Sequence, residues 1–136
     1  MTPDTPYKPI KEKWLDRSVV RGPRLCLCTT PEQYKRVMKG LKVTDCNDFP
    51  ADFMEAAVKW IDGSDFLACV VCMRIDPNRS GIITASIIAH EAVHVAQRFY
   101  GRIGEDSPSK EFQAYVIENI VRNLLEEYHR QEVGNC

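Results

Sequence analysis

The sequence predicts an α+β domain in which a small, mostly antiparallel sheet packs on two long helices. The run Phe66–Ile75 is continuously apolar and β-branched at its centre, which is typical of a buried strand. Segments 82–100 and 107–130 instead place apolar residues at helical spacing. With 136 residues and a formal charge of −1, the chain is expected to form a single domain over residues 1–136 with a core of its own.

The first forty residues predict an arm, a strand and a capped helix. Residues 1–13 are rich in proline and lysine and predict an extended arm. Leu25–Cys28 reads as a short strand. Thr30 then stands where a helix N-cap belongs, with Gln33 completing a capping box, and Gly40 marks the predicted end of this helix.

The middle of the chain predicts a β-hairpin. Ala56–Ile61 forms the first strand, residues 62–65 form the turn, and Phe66–Ile75 forms the second strand. A helix over residues 50–61 is the alternative interpretation of the first half of this segment.

The next helix contains a histidine pair that predicts a metal site. The helix is predicted from about Gly81 to Tyr100, and its apolar residues cover most of its circumference, as in a helix enclosed by the domain. His90 and His94 stand at positions i and i+4 of H-E-x-x-H and therefore share one helix face. Two imidazoles on one face, with the Glu91 carboxylate beside them, predict a catalytic Zn²⁺ site in which Glu91 is the general base. The alternative without metal is a pair of core histidines bonded to backbone.

A catalytic zinc site needs a third protein ligand, and the last helix offers candidates. This helix is predicted to begin at Ser107-Pro108 and to run to about Arg130. Glu111 in its first turn is the preferred ligand, because a helix hairpin brings that turn beside the preceding helix. Glu118 is the fallback ligand or a partner for a histidine. His129 lies about 27 Å further along the helix than Glu111 and cannot share its metal.

Two further residue types, tyrosine and cysteine, are candidates for a role. Tyr115, one turn beyond Glu111, is a candidate hydrogen-bond donor to a developing oxyanion, although a core tyrosine fits the sequence as well. The six cysteines predict free buried thiols, with a structural disulfide or a second metal site as weaker alternatives. Cys26 and Cys28 are expected on one face of their strand, whereas Cys69 and Cys72 are expected on opposite faces of theirs.

The motif His90-Glu91-Ala92-Val93-His94 followed by Glu111-Phe112-Gln113-Ala114-Tyr115 resembles the gluzincin type of zincin metallopeptidases. More narrowly, the chain resembles small H-E-x-x-H proteins predicted in bacteriophage genomes. The resemblance covers about residues 66–120 and implies a minimal zincin-like domain that binds one zinc ion. It also implies an edge strand above the active-site helix that binds extended peptide by strand addition, and Phe66–Ile75 matches that strand in position and character.

These features predict a zinc-dependent peptidase that hydrolyses peptide bonds with a metal-activated water and Glu91 as base. The alternative is a weakly active or inactive zinc-binding scaffold that serves as a phage structural or host-interaction protein. The near-neutral charge predicts neither nucleic acid nor a membrane as partner. No secretory signal precedes the domain, so a cytoplasmic location is expected, in the host if the chain is phage-encoded.

Overall fold

A computed structural model describes residues 10–15, 22–44 and 48–134 of the chain. These residues form an α+β fold, as the sequence predicts. In chain order its elements are β1 (Arg24–Cys28), α1 (Pro31–Gly40), a 3₁₀ turn (Pro50–Asp52), β2 (Ala57–Asp62), β3 (Leu67–Cys72), α2 (Gly81–Arg102) and α3 (Lys110–Gly134).

The three strands form one mixed sheet in the order β1-β3-β2. β2 and β3 pair antiparallel as the predicted hairpin, but β1 pairs parallel to β3, so the expectation of a mostly antiparallel sheet is only half met. The parallel neighbours β1 and β3 are joined by a long connection through α1, the 3₁₀ turn and β2, and a long connection is what parallel pairing requires. The helix alternative for residues 50–61 is wrong except for the 3₁₀ turn at Pro50–Asp52.

The expectation that Phe66–Ile75 is an edge strand is wrong. Its central part, β3, lies between β1 and β2, and all six of its residues are buried. A run that is apolar at every position is what a strand covered on both faces requires. The same apolar character that identified the segment as a strand therefore fits the helices that cover both of its faces, while its central position comes from its pairing with β1 and β2.

Helices cover both faces of the sheet. α2 and α3 pack on the face that carries Cys69 and Val71, and α1 packs on the face that carries Cys26, Cys28 and Cys72. The predicted facing of the strand cysteines is confirmed, and these four cysteines are free and buried. The two remaining cysteines, at positions 46 and 136, lie outside the described residues.

Local signals fix where the helices begin and end. Thr30 and Gln33 form the predicted capping box of α1, which ends at Gly40 as expected. α2 runs through Gly101 to Arg102, because a helical glycine lowers stability only modestly when tertiary contacts continue the helix. The chain turns two residues later at Gly104, which adopts φ +75°.

The last helix begins later and ends later than predicted. The Ser109 hydroxyl, not that of Ser107, accepts the hydrogen bond from the Phe112 N–H that caps α3. α3 extends past Arg130 to Gly134. No helix in the described part of the chain is both long enough and apolar enough to cross a membrane.

A buried polar network holds the end of α3 against the sheet. The fully buried Gln131 amide donates to the Leu27 carbonyl (3.0 Å) and to Glu127 (2.9 Å). Its oxygen accepts from Thr29 Oγ1 (2.6 Å) and from Gln33 Nε2 (2.9 Å). Each buried polar atom of Gln131 is therefore satisfied, and one side chain joins α3, β1 and the start of α1.

The described part of the predicted arm is attached to this end of the molecule. Gln33 Nε2 donates to the Ile10 carbonyl, and Arg130 Nη2 donates to the Lys11 carbonyl. Trp14 forms an isolated antiparallel bridge with Cys26 on the outer side of β1. β1 is therefore partly covered along the edge that does not pair with β3.

Candidate metal and peptide site on α2 and β2

The two motif histidines lie together on the exposed face of α2. Their Nε2 atoms are 3.1 Å apart, and their ring planes meet at 75°. Both side chains are exposed, whereas Ile88, Ala92 and Val95 on the opposite face are fully buried in the core. The i, i+4 spacing thus produces the convergence that the sequence predicts, on a surface open to solvent.

Glu91 lies at the boundary between this exposed face and the core. Its side chain is buried, and no described residue donates a hydrogen bond to it. Burial raises the pKa of its carboxyl above the ordinary value, while the neighbouring His90 and His94 act in the opposite direction. The carboxylate oxygens are nevertheless not sealed from solvent, since no buried side-chain oxygen in the described residues lacks a partner. Glu91 is therefore placed to hold a water molecule beside the two imidazoles.

α2 is not enclosed on all sides, and that expectation is wrong. Ile82 is 80 % exposed, Ile83 is 49 % exposed and Val93 is 36 % exposed. One set of apolar residues on α2 thus lies in the core, and another set lies on the exposed side that carries the histidines. A wide apolar stripe on the sequence does not distinguish a buried surface from an apolar binding surface.

β2 lies beside the histidine face of α2. Arg102 Nη2, at the end of α2, donates to the Gly63 carbonyl (2.9 Å) in the turn between β2 and β3. Arg98 forms an ion pair with Asp62, and its guanidinium lies 5.6 Å from the centre of the Trp60 ring. Since α2 starts beyond the end of β3 and finishes at the hairpin turn, it runs antiparallel to β3 and therefore parallel to β2.

The histidines are level with the middle of β2. His94 precedes Arg98 by one helical turn, about 6 Å along the axis, which equals about two residues of strand. Arg98 contacts Trp60 and Asp62, so His94 is level with the segment from Val58 to Trp60.

The outer edge of β2 is free among the described residues. The Gly63 N–H donates to the Phe66 carbonyl, which fixes the alternation of bonded and non-bonded pairs along the hairpin. By that alternation, the backbone groups of Val58, Trp60 and Asp62 point away from β3. No backbone group of the described residues pairs with them. β2 therefore provides the exposed edge that the sequence prediction assigned to Phe66–Ile75.

The structure does not bring the α3 candidates to the histidine pair. Phe112, next to Glu111, lies 6.1 Å from Tyr100 between ring centres, and Tyr100 follows His94 by about 9 Å along α2. Glu111 is exposed beside the last turns of α2, and Tyr115 is 58 % exposed one turn later. Among the described residues, no third histidine, cysteine or acidic side chain completes a metal-binding group.

Measured along the helix axis, Glu118 lies closer to the histidines than Glu111 does. α2 and α3 form an antiparallel hairpin, and Tyr100 of α2 lies beside Phe112 of α3. His94 precedes Tyr100 by six residues, so the residue of α3 at the level of His94 follows Phe112 by six. Glu118 stands at that level, where its exposed carboxylate accepts from Arg122 Nη2 at 2.6 Å. An exposed ion pair of this kind contributes little stability and is easily exchanged for another partner.

The histidine pair has the spacing of two ligands of one zinc ion. With Zn–N bonds of about 2.05 Å, a separation of 3.1 Å between the Nε2 atoms corresponds to an N–Zn–N angle of about 98°, near tetrahedral. Two neutral imidazole nitrogens are also the donors that zinc accepts at open sites. The residues present on α2 therefore fit a zinc ion with two protein ligands in place.

Sequence reasoning missed the contribution of β2 and Arg98. The available signals were the two charged residues Lys59 and Asp62 within Ala57–Asp62, which distinguish it from the continuously apolar β3, and an arginine one turn after His94. Comparison of the chain with protein-family models, curated proteins and solved structures finds no match in any of the three.

Proposed function

We propose that the protein is a zinc-dependent peptidase whose metal is held by His90, His94 and a glutamate of α3. The observation that carries the proposal is the 3.1 Å separation of the two Nε2 atoms on an open helix face beside the buried Glu91 carboxylate. A structural site has no use for an unpartnered carboxylate at this position, because burying it without hydrogen bonds lowers stability.

In the proposed hydrolysis, the metal site activates the water and Glu91 transfers the proton. A zinc ion held by His90, His94 and a glutamate of α3 would lower the pKa of a bound water toward about 7 and would polarise the substrate carbonyl. Glu91 accepts the proton of the attacking water and donates it to the amine that leaves when the peptide bond breaks. Its raised pKa suits both steps, since a carboxylate with a pKa closer to neutrality is a better proton acceptor and returns the proton readily.

The peptide substrate binds along the free edge of β2. The outward backbone groups of Val58, Trp60 and Asp62 offer donors and acceptors for an added strand. Such a strand would pass beside the histidine face, because His94 is level with the middle of β2. This arrangement keeps the strand-addition mode expected from the sequence and moves it from Phe66–Ile75 to β2.

Either of two glutamates supplies the third ligand. Glu111 is the ligand that the resemblance implies, and it requires α3 to shift along α2 by about two helical turns or its first turn to move toward the histidines. Glu118 is level with His94 along the helix axis, and its carboxylate would have to leave Arg122 and turn toward the histidines. Tyr115, exposed between them on α3, is proposed to donate a hydrogen bond to the substrate carbonyl oxygen as it becomes negative.

Metal content and proteolysis of purified variants test the proposal. Wild type is expected to bind about one zinc per chain and to cleave unfolded casein, and Glu91→Gln is expected to keep zinc but lose cleavage. Loss of zinc in Glu111→Ala or in Glu118→Ala identifies the third ligand. His129→Ala is the matched control, because this third histidine is exposed and remote on α3 and should retain both properties.

Two results would contradict the proposal at different points. Zinc binding without cleavage of casein or of a peptide library would leave the zinc-binding scaffold as the function. Absence of zinc, together with a melting temperature that added zinc leaves unchanged, would show that the histidine pair does not hold metal.

A further inference from the structure

We infer that Arg98 is a positioning residue that holds the peptide-binding edge of β2 in place over the histidine face. The inference rests on the proposed peptidase function and adds to it a residue outside the H-E-x-x-H motif. Arg98 belongs to the same exposed side of α2 as the histidines, one turn after His94.

Arg98 contacts two alternate residues of β2 through two kinds of interaction. It donates a charge-assisted hydrogen bond from Nη2 to Asp62 Oδ2, and its guanidinium stacks over the Trp60 ring at 5.6 Å. Trp60 and Asp62 are two of the three β2 residues whose backbone groups form the free edge. Arg98 therefore holds the residues that would bind the substrate backbone.

β2 needs such an anchor because its other contacts leave one side open. Hydrogen bonds to β3 fix it along one edge, and its side chains toward α2 are only partly buried. Arg102 adds a second attachment one turn later, through the carbonyls of Gly63 and Ser64. Arg102 Nη1 also lies 3.8 Å from Asp62 Oδ1, so both arginines hold the end of the strand at Asp62. Arg98 reaches further along the strand, because its guanidinium also contacts the Trp60 ring at the middle of β2.

The consequence is a dependence on peptide length. A peptide long enough to pair with β2 needs the strand edge at a fixed distance from the histidines, whereas a dipeptide derivative does not reach the edge. Loss of Arg98 is therefore expected to raise KM for long peptides about tenfold and to leave kcat within about twofold, because binding is lost and the reacting groups are not.

The experiment compares wild type, Arg98→Ala and Arg98→Lys on a fluorogenic hexapeptide and on a dipeptide derivative of the same scissile bond. Arg98→Ala should raise KM for the hexapeptide only. Lysine restores the charge but not the planar stacking on Trp60, so Arg98→Lys should recover KM partly. Arg36→Ala is the matched control, because Arg36 is similarly exposed and ion-paired with Glu12, on α1 across the sheet.

A binding measurement separates this inference from the proposed function. In the Glu91→Gln background, which is not expected to turn over peptide, hexapeptide binding is followed by tryptophan fluorescence with and without Arg98. Equal affinities with and without Arg98, in a protein that binds the peptide, would overturn the positioning role and leave the peptidase proposal intact. Equal KM changes for the hexapeptide and the dipeptide derivative would also overturn it. If wild type neither binds nor cleaves the hexapeptide, the proposed function and this inference both fail.

Discussion

Replacing Glu91 with glutamine is expected to remove activity and to make the metal-free protein more stable. The carboxylate is buried, is raised in pKa by that burial, and receives no hydrogen bond from the described residues. An unpartnered buried polar group costs about 1–3 kcal/mol and a charged one costs more, so replacing the ionised carboxylate with a neutral amide removes the part of the cost that is due to the charge; the remaining solvent contact of the oxygens keeps this part small. We expect a gain of about 1 kcal/mol, which for a domain of this size raises Tm by about 4 °C.

The pH dependence of this gain has a defined sign. Because the folded state raises the pKa of Glu91, the folded protein takes up a proton before the unfolded chain does as the pH falls. The ionised carboxylate therefore lowers stability at neutral pH, and this penalty disappears as the pH falls through the folded-state pKa. The stability difference between Glu91→Gln and wild type should be largest near neutrality and should narrow on acidification.

Thermal unfolding in the presence of a chelator measures the gain in stability of Glu91→Gln over wild type. The same measurement with zinc shows how that gain depends on metal. A cation beside the carboxylate favours its charged form, so zinc should reduce the advantage of glutamine. Glu118→Gln is the control, since Glu118 is 60 % exposed and paired with Arg122, and its replacement should change stability by less than about 0.5 kcal/mol. If metal-free Glu91→Gln were less stable than wild type, the expected gain in stability would be wrong, because the carboxylate would then have partners that stabilise it.

Two further predictions concern the packing that supports the site. Gln131→Met keeps the side-chain volume but leaves the Leu27 carbonyl without its partner and removes one hydrogen bond each from Thr29, Gln33 and Glu127. A loss of about 3 kcal/mol in urea unfolding is expected, against less than about 0.5 kcal/mol for the exposed Gln97→Met. An equal loss in both variants would argue against the network. Burial raises the pKa of the Cys69 and Cys72 thiols to about 12, and a hydrogen bond with Cys26 together with burial raises the pKa of the Cys28 thiol. These thiols should therefore react with a disulfide reagent only after unfolding. Rapid labelling of Cys69 or Cys72 in the native protein, located by peptide mapping, would contradict their burial.

The elements that sequence reasoning predicted well are those specified by local chemistry. The Thr30 capping box, the β2–β3 hairpin and the convergence of His90 and His94 each depend on residues within a few positions of one another. Their geometry is set by backbone periodicity, which the sequence shows directly.

The parts that were missed depend on contacts between distant segments. The central position of β3 follows from its pairing with β1, some 44 residues earlier in the register Arg24↔Ala68, and nothing within β3 distinguishes this from an edge. The extension of α2 beyond Gly101 and the position of Glu111 along α2 likewise depend on how two helices pack. The third ligand of the proposed zinc site is therefore the part for which the sequence leaves a choice between Glu111 and Glu118.

The free edge of β2 has a consequence for solubility. An unpaired strand edge that is open to a peptide is equally open to the edge of another copy, and such pairing is a common route to aggregation. Lys59 lies at the middle of β2 with its side chain exposed. If two copies paired antiparallel about the centre of this strand, their Lys59 ammonium groups would be brought together, and like charges at close range oppose the pairing. A single lysine thus discourages self-association while leaving the backbone of the edge available to a peptide that carries no charge at that position.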